Sequence, residues 1–169
     1  MRIRANEIEF EVREGTPGDV PLLLSFFRSM AEFEKLPFTA TDESLRTALF
    51  HDRPAAMTLL GFVDEAPVAY VVYFFTFSTV LGKRGLWLED LFIAPAFRGK
   101  GIGEALMACL ADIAVRHDCG RFEWTVLDWN ERALRFYERM GAKMLADWRV
   151  CRLEEHQLPA VASRLMISK

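Results

Sequence analysis

The sequence predicts an α/β domain of the α+β kind, a central mixed and largely antiparallel sheet flanked by helices. Three observations carry that prediction. The chain has 169 residues, the length of one domain. Two β-rich runs, Met57 to Asp64 and Ala66 to Phe77, stand either side of the turn-like Asp64-Glu65-Ala66-Pro67, as in a hairpin. Downstream, the apolar spacing switches from strand-like runs to a helical period and back more than once.

Taken in order, Phe10 to Arg13 reads as a short opening strand. Thr16-Pro17 offers a cap and a first helical residue. The helix that follows runs to about Phe33 or Lys35, with Leu23, Phe26, Phe27 and Met30 at helical spacing. Thr41-Asp42-Glu43-Ser44 opens a shorter helix near Leu45 to Phe50. After the hairpin, Leu81 to Gly85 is a turn and Leu86 to Ile93 a further strand, stopped by Pro95. The run from Val71 to Phe77 reads simply as a central strand.

From Gly101, the residues Ile102, Ala105, Leu106, Cys109, Leu110 and Ile113 recur at three- and four-residue steps, one face of a helix ending near His117. Arg121 to Leu127 reads as a strand. Asp128-Trp129-Asn130 leads into a helix from about Glu131 to Met140, with Gly141 where a left-handed cap wants glycine. Lys143 to Glu154, with loose alternation, reads as a final strand.

Composition excludes several classes. A net charge of −3 argues against non-specific nucleic-acid binding, which needs a basic excess. The apolar run from Ala66 to Phe77 is shorter than the ~20 residues of a spanning helix, so no membrane partner is expected. The first residues show no apolar signal region, and the expected location is cytoplasmic. Cys109, Cys119 and Cys151 form no CxxC pair, and His51, His117 and His156 form no HxxxH pair. Reduced thiols and no metal site are expected.

The stretch Arg98-Gly99-Lys100-Gly101-Ile102-Gly103 sits where a strand turns into a helix. Such a turn gathers free backbone N–H groups at the positive end of a helix dipole, with no side chain in the way. It suits phosphate, and Arg98 and Lys100 add cations; a plain capping turn is the bland alternative. GxxxxGK[ST] fails because Gly101 follows Lys100. GxGxxG fails because Gly99-x-Gly101 ends on Glu104 and Gly101-x-Gly103 on Leu106. Neither an ATPase nor a Rossmann dehydrogenase is supported.

The spacing that fits is Arg98-x-x-Gly101-x-Gly103, which resembles the GCN5-related N-acetyltransferase (GNAT) superfamily. The segments Ala31 to Leu36, Tyr70 to Gly103 and Val126 to Ala142 resemble its diamine acetyltransferase branch, nearest to the thialysine acetyltransferases. The poorer matches are Asp52 to Gly61 and the tail after about Arg152. The resemblance implies transfer of acetyl from acetyl-CoA to a primary amine of a small molecule, thialysine- or lysine-like or a di- or polyamine. It implies that Gly99, Lys100, Gly101, Ile102, Gly103 and Glu104, with Arg98, hold the pyrophosphate. It also implies that Leu91, Phe92 and Ile93 bond the pantetheine arm through a strand splayed from Glu123 to Thr125.

By the same resemblance Tyr137 protonates the departing thiolate, and Asn130 both caps its helix and bonds the cofactor. A phenol near pKa ~10 and a thiol near ~8.5 are closely enough matched for that transfer. Glu89 handles the amine through water, since a carboxylate near ~4.3 is too weak a base to act alone. Asp90 would face away if the strand is regular. Phe33 and Glu34 contact the amine, an acidic lining that suits a cationic acceptor. Trp148 matches a tryptophan of the branch, and core packing accounts for it equally well. The branch also implies a homodimer, often with C-terminal strand exchange. The rivals are another acceptor, such as an antibiotic amine or a protein N-terminus, and a weakly catalytic acyl-CoA-binding protein.

Overall fold

The computed structural model describes residues 1–6 and 8–165. The chain forms two compact units, Met1–Leu127 and Asp128–Lys169. The first holds a six-stranded sheet in sequential order: β1 (Arg2–Ala5), β2 (Ile8–Glu14), β3 (Met57–Val63), β4 (Ala66–Ser78), β5 (Lys83–Ile93) and β6 (Arg121–Trp124). Neighbours are antiparallel from β1 to β5, and β5 pairs with β6 in parallel. Three helices accompany it, α1 (Val20–Glu34), α2 (Asp42–Leu49) and α3 (Ile102–Arg116). The second unit holds α4 (Glu131–Arg139) and the short α5 (Leu158–Ala162). No described helix is long and apolar enough to cross a membrane.

The mixed, largely antiparallel sheet follows from the sequence pattern. Ala69, Tyr70, Val71 and Val72 are successive and all buried, so β4 is covered on both faces and reads as an unbroken apolar run. Tyr70 and Val72 lie in one core with Leu60 and Phe92, against Val20, Leu23 and Phe26 of α1 and Leu45 of α2. α3 packs against β5 and β1, burying Ile102, Leu106, Met107 and Leu110. A fully buried aliphatic or aromatic side chain of this kind contributes roughly 1.5–3 kcal/mol over an exposed one.

One polar knot ties β2 to the entry of α1. The Asp19 carboxylate accepts two hydrogen bonds from the Arg13 guanidinium, at 2.8 and 2.7 Å, and two from Thr16, from its N–H and its hydroxyl. The Arg13 bonds come first among the causes that hold Asp19 well below the usual carboxylate range. A depressed pKa gives stability that is present above the unfolded value of ~3.9 and is lost as pH falls through the folded value. Asp19→Ala removes a charged pair and a cap, and is expected to cost about 2 kcal/mol in urea unfolding at neutral pH. The difference from wild type should shrink below about pH 4; a constant difference would mean that the pair contributes nothing.

Several boundaries differ from the sequence reading. The opening strand extends to Ile8–Glu14 and is preceded by β1, which pairs with it through a tight turn where Asn6 takes a φ of 52°. No strand forms over Lys143 to Glu154; the segment is irregular, and Leu145, Trp148, Val150 and Leu153 are exposed. A strand needs a neighbour to accept its backbone bonds, and among the described residues no strand pairs with this segment. Trp148, 79% exposed, is not a core residue. The strand read as Arg121 to Leu127 ends at Trp124.

Candidate active site

The glycine turn joins β5 to α3. Gly99 and Gly101 have φ of 79° and 85°, conformations that side chains strain to adopt. At Gly99 a Cβ would meet nothing within 4 Å, so the turn is open on that side. At Gly101 it would lie 2.9 Å from Asn6 Nδ2 and 3.2 Å from Asn6 Cγ. The tip of the β1–β2 hairpin therefore rests against the turn. The first internal bond of α3 is from Ala105 N–H to Gly101 O at 3.0 Å. The amides of Ile102, Gly103 and Glu104 belong to the first turn, where no preceding helical carbonyl is available. Glu104 is exposed, and the Lys100 ammonium lies 5.1 Å from the Phe97 ring centre. This open, dipole-backed cradle fits a diphosphate.

β5 changes partners just before the turn. β6 pairs with it from Gly85↔Arg121 to Leu88↔Trp124 and no further. Leu91, Phe92 and Ile93 pair only with Val71, Tyr70 and Ala69 of β4, leaving the β6 side of that segment open among the described residues. Glu123 and Trp124, expected across a gap from this strand, are instead paired with Trp87 and Leu88; β6 ends there, before it reaches the level of Leu91. Extended backbone with free amides and carbonyls on one edge can bond an amide-containing chain laid beside it. Arg98 Nε already takes the Ile93 carbonyl at 2.8 Å. The Arg98 guanidinium stands 5.3 Å from the Phe33 ring centre and 5.8 Å from that of Phe92, tying the end of α1 to the glycine turn.

The register also slips within this stretch. Val72 pairs with Asp90 and Tyr73 with Leu88, so Glu89 is an extra residue on β5. Such a bulge breaks the alternation of faces and re-aims side chains. Asp90 was expected to face away from Glu89 in a regular strand; β5 is not regular there. Both carboxyls interact with Glu34 at the end of α1. Burial, then Glu89, pushes Glu34 up from its ordinary value. Burial, then Glu89 and Glu34, pushes Asp90 up to about 6. Tyr70 donates its hydroxyl to Asp90 Oδ2 at 3.2 Å, and Trp87 Nε1 donates to Glu89 Oε2 at 3.1 Å.

Three carboxyl groups therefore act on one another here, Glu34 and Asp90 half-buried and Glu89 exposed. Such a group favours the uptake of protons or the binding of a cation. The structure puts Glu34 under the influence of Glu89, and sets Arg98, read from the sequence as a diphosphate ligand, over the Phe33 ring. It adds Asp90, Tyr70 and Asn6, which sequence reasoning missed. Asp90 stands beside Glu89 in the chain, but nothing in the sequence marks a bulge. Tyr70 is hidden within an apolar run, and Asn6 within a strand pair that was not foreseen. No cluster of three His, Cys, Asp or Glu residues arranged to hold a metal ion occurs among the described residues.

In the second unit Asn130 caps α4, its Oδ1 accepting from Ala133 N–H at 3.2 Å. Tyr137 is the buried residue of that helix, and its ring lies 5.1 Å from that of Phe136. Burial pushes its phenol up to about 12. It is therefore a neutral O–H donor throughout the physiological range.

Known proteins are similar to this one over most of the chain. A thialysine N-epsilon-acetyltransferase of Mus musculus is 34% identical over 167 residues, covering 91% of this chain and 96% of its own. An L-ornithine N5-acetyltransferase of Arabidopsis thaliana is 29% identical over 197 residues, covering 89% of this chain and 86% of its own. Among solved structures, an integron cassette protein from the mobile metagenome of V. cholerae superposes with a TM-score of 0.77 at 25% identity, covering 90% of this chain and 97% of its own. Residues 27–142, from α1 through the glycine turn to the cap of α4, match the Acetyltransferase (GNAT) family, and the chain belongs to that family of N-acetyltransferases.

Proposed function

We propose that the protein transfers acetyl from acetyl-CoA to a primary amine of a small, positively charged acceptor, a lysine-, thialysine- or ornithine-like amino acid or a di- or polyamine. The observation that carries this reading is the grouping of Glu34, Glu89 and Asp90 at the end of α1 and the bulge of β5. The relatives named for thialysine and ornithine acetylation support it. Acetyl-CoA supplies the acetyl group as a thioester. The amides of the glycine turn, with Arg98 and Lys100, hold its diphosphate, and the open edge at Leu91 to Ile93 bonds its pantetheine arm. Asn130 bonds the cofactor from the cap of α4.

The acceptor arrives mostly as an ammonium ion, since an alkyl amine near pKa ~10 is about one part in a thousand neutral at pH 7. Asp90 near 6 remains about four units short of that value, so it cannot hold the amine's proton outright. The carboxylates bind the cation, and its proton leaves to a water held by Glu89 before attack. Tyr137 serves the departing sulfur. Its value of about 12 makes complete transfer to a thiolate near ~8.5 uphill by roughly 3.5 units. Its contribution is a hydrogen bond that strengthens as charge grows on sulfur, with the thiolate then leaving to solvent.

We also propose a cytoplasmic homodimer. The exposed Leu145, Trp148, Val150 and Leu153 support an apolar contact for a second copy. Thiol release from acetyl-CoA against a panel of amines tests the function. Cationic acceptors should turn over, and Glu34→Gln should lower kcat/KM for them about tenfold, with the KM for acetyl-CoA unchanged. Turnover only with an antibiotic amine or a protein N-terminus, or acyl-CoA binding without turnover, would overturn the reading.

A further inference from the structure

Tyr70 is fully buried, and its ring is surrounded by Phe26, Phe27 and Phe92 at centroid distances of 5.6, 4.9 and 5.7 Å. Phenylalanine would fill that volume equally well. A hydroxyl placed there is costly unless it is bonded, and its recorded partner is Asp90 Oδ2. Asp90 pairs with Val72, two residues along from the Tyr70↔Phe92 pair, so the regular alternation of that stretch puts its carboxyl on the Tyr70 side of the sheet. We propose that Tyr70 is a positioning residue of the acceptor site, its hydroxyl holding Asp90 ionised and fixed beside Glu34 to receive a positive charge of the acceptor.

The opposing influences are all present. Burial, Glu89 on β5 and Glu34 on α1 disfavour charge on Asp90, and the hydroxyl on β4 favours it. The Arg98 guanidinium lies over the rings of Phe33 and Phe92, with its Nε donating to the Ile93 carbonyl. Without the hydroxyl, desolvation and two like charges act against a single-residue anion that no other recorded side chain bonds. A hydrogen bond to an ionised group shifts its equilibrium by about one pH unit. Asp90 would then titrate close to neutral pH, and the site would lose a fixed charge in the range where the enzyme works. The consequence falls on acceptor recognition and leaves the diphosphate cradle untouched.

The test is Tyr70→Phe, which keeps the ring. The carboxyl carbon of Asp90, followed by NMR in the ligand-free protein and assigned with Asp90→Asn, should titrate about one pH unit higher in the variant. Calorimetric affinity for a dicationic amine should fall about fivefold near pH 6 and about twofold near pH 7, with affinity for acetyl-CoA unchanged. In the Asp90→Asn background, Tyr70→Phe should change amine affinity no further. Urea unfolding of each variant shows that it is folded. An unmoved Asp90 midpoint in folded Tyr70→Phe, or equal losses with and without Asp90, would overturn the proposal. This inference rests on the acceptor reading above, yet the two fail separately. A wild-type protein that turns over no amine sinks the function while the Asp90 titration still reports on Tyr70.

Discussion

Tyr137→Phe is expected to lower kcat at least tenfold while leaving the KM for both substrates within about twofold. The variant removes one oxygen and keeps the ring that is buried on α4. An interaction that matters only as charge gathers on sulfur appears in kcat and not in binding. Burial fixes the sign of the pH dependence. With the phenol pushed up to about 12, the donor stays protonated across the neutral and moderately alkaline range. Activity should therefore rise with pH as the amine becomes neutral, with no alkaline loss from this tyrosine below about pH 11. Phenylalanine should give the same pH profile at a lower plateau. A variant with full activity at pH 7 would remove the donor role, and thiol release would then need only water.

The features that local chemistry specifies were legible in the sequence. Glycines at 99 and 101 announce positive φ before a helix, and the structure has both. Asn130 reads as a cap and is one, because a short side chain beside a helix start has few other partners. What escaped depends on pairing between distant segments. The extra residue at Glu89 exists because β4 and β5 slip register between Val72 and Tyr73, and neither strand's composition records that slip. The expectation for Asp90 was conditional on a regular strand, and the bulge at Glu89 removes that condition. β1 was missed because four residues with two arginines have little apolar alternation, and its pairing with β2 is what makes it a strand. The reverse error occurred over Lys143 to Glu154, where alternation suggested a strand and, among the described residues, no partner strand supplies the bonds.

The glycine turn yields the second large effect, and a pair of substitutions separates its two causes. Gly99→Ala and Gly101→Ala both impose a Cβ at positive φ, at 79° and 85°. That strain costs about 1–2 kcal/mol in each. Space distinguishes them. A Cβ at 99 enters open surroundings, whereas a Cβ at 101 lies 2.9 Å from Asn6 Nδ2 and 3.4 Å from Ala5 Cβ. Ala5 is buried, so the hairpin tip cannot swing away as a loose loop would. The accommodation falls on the residue that begins α3, and with it on the amides assigned to the diphosphate. Gly101→Ala should thus weaken acetyl-CoA binding at least tenfold by calorimetry, and Gly99→Ala by about threefold or less. Adding Asn6→Gly to Gly101→Ala should recover part of the affinity, because it clears the nearest atoms and leaves only backbone strain. Equal losses at 99 and 101 would show that conformation alone governs the turn. Unchanged affinity in a folded Gly101→Ala protein would remove the diphosphate from this cradle.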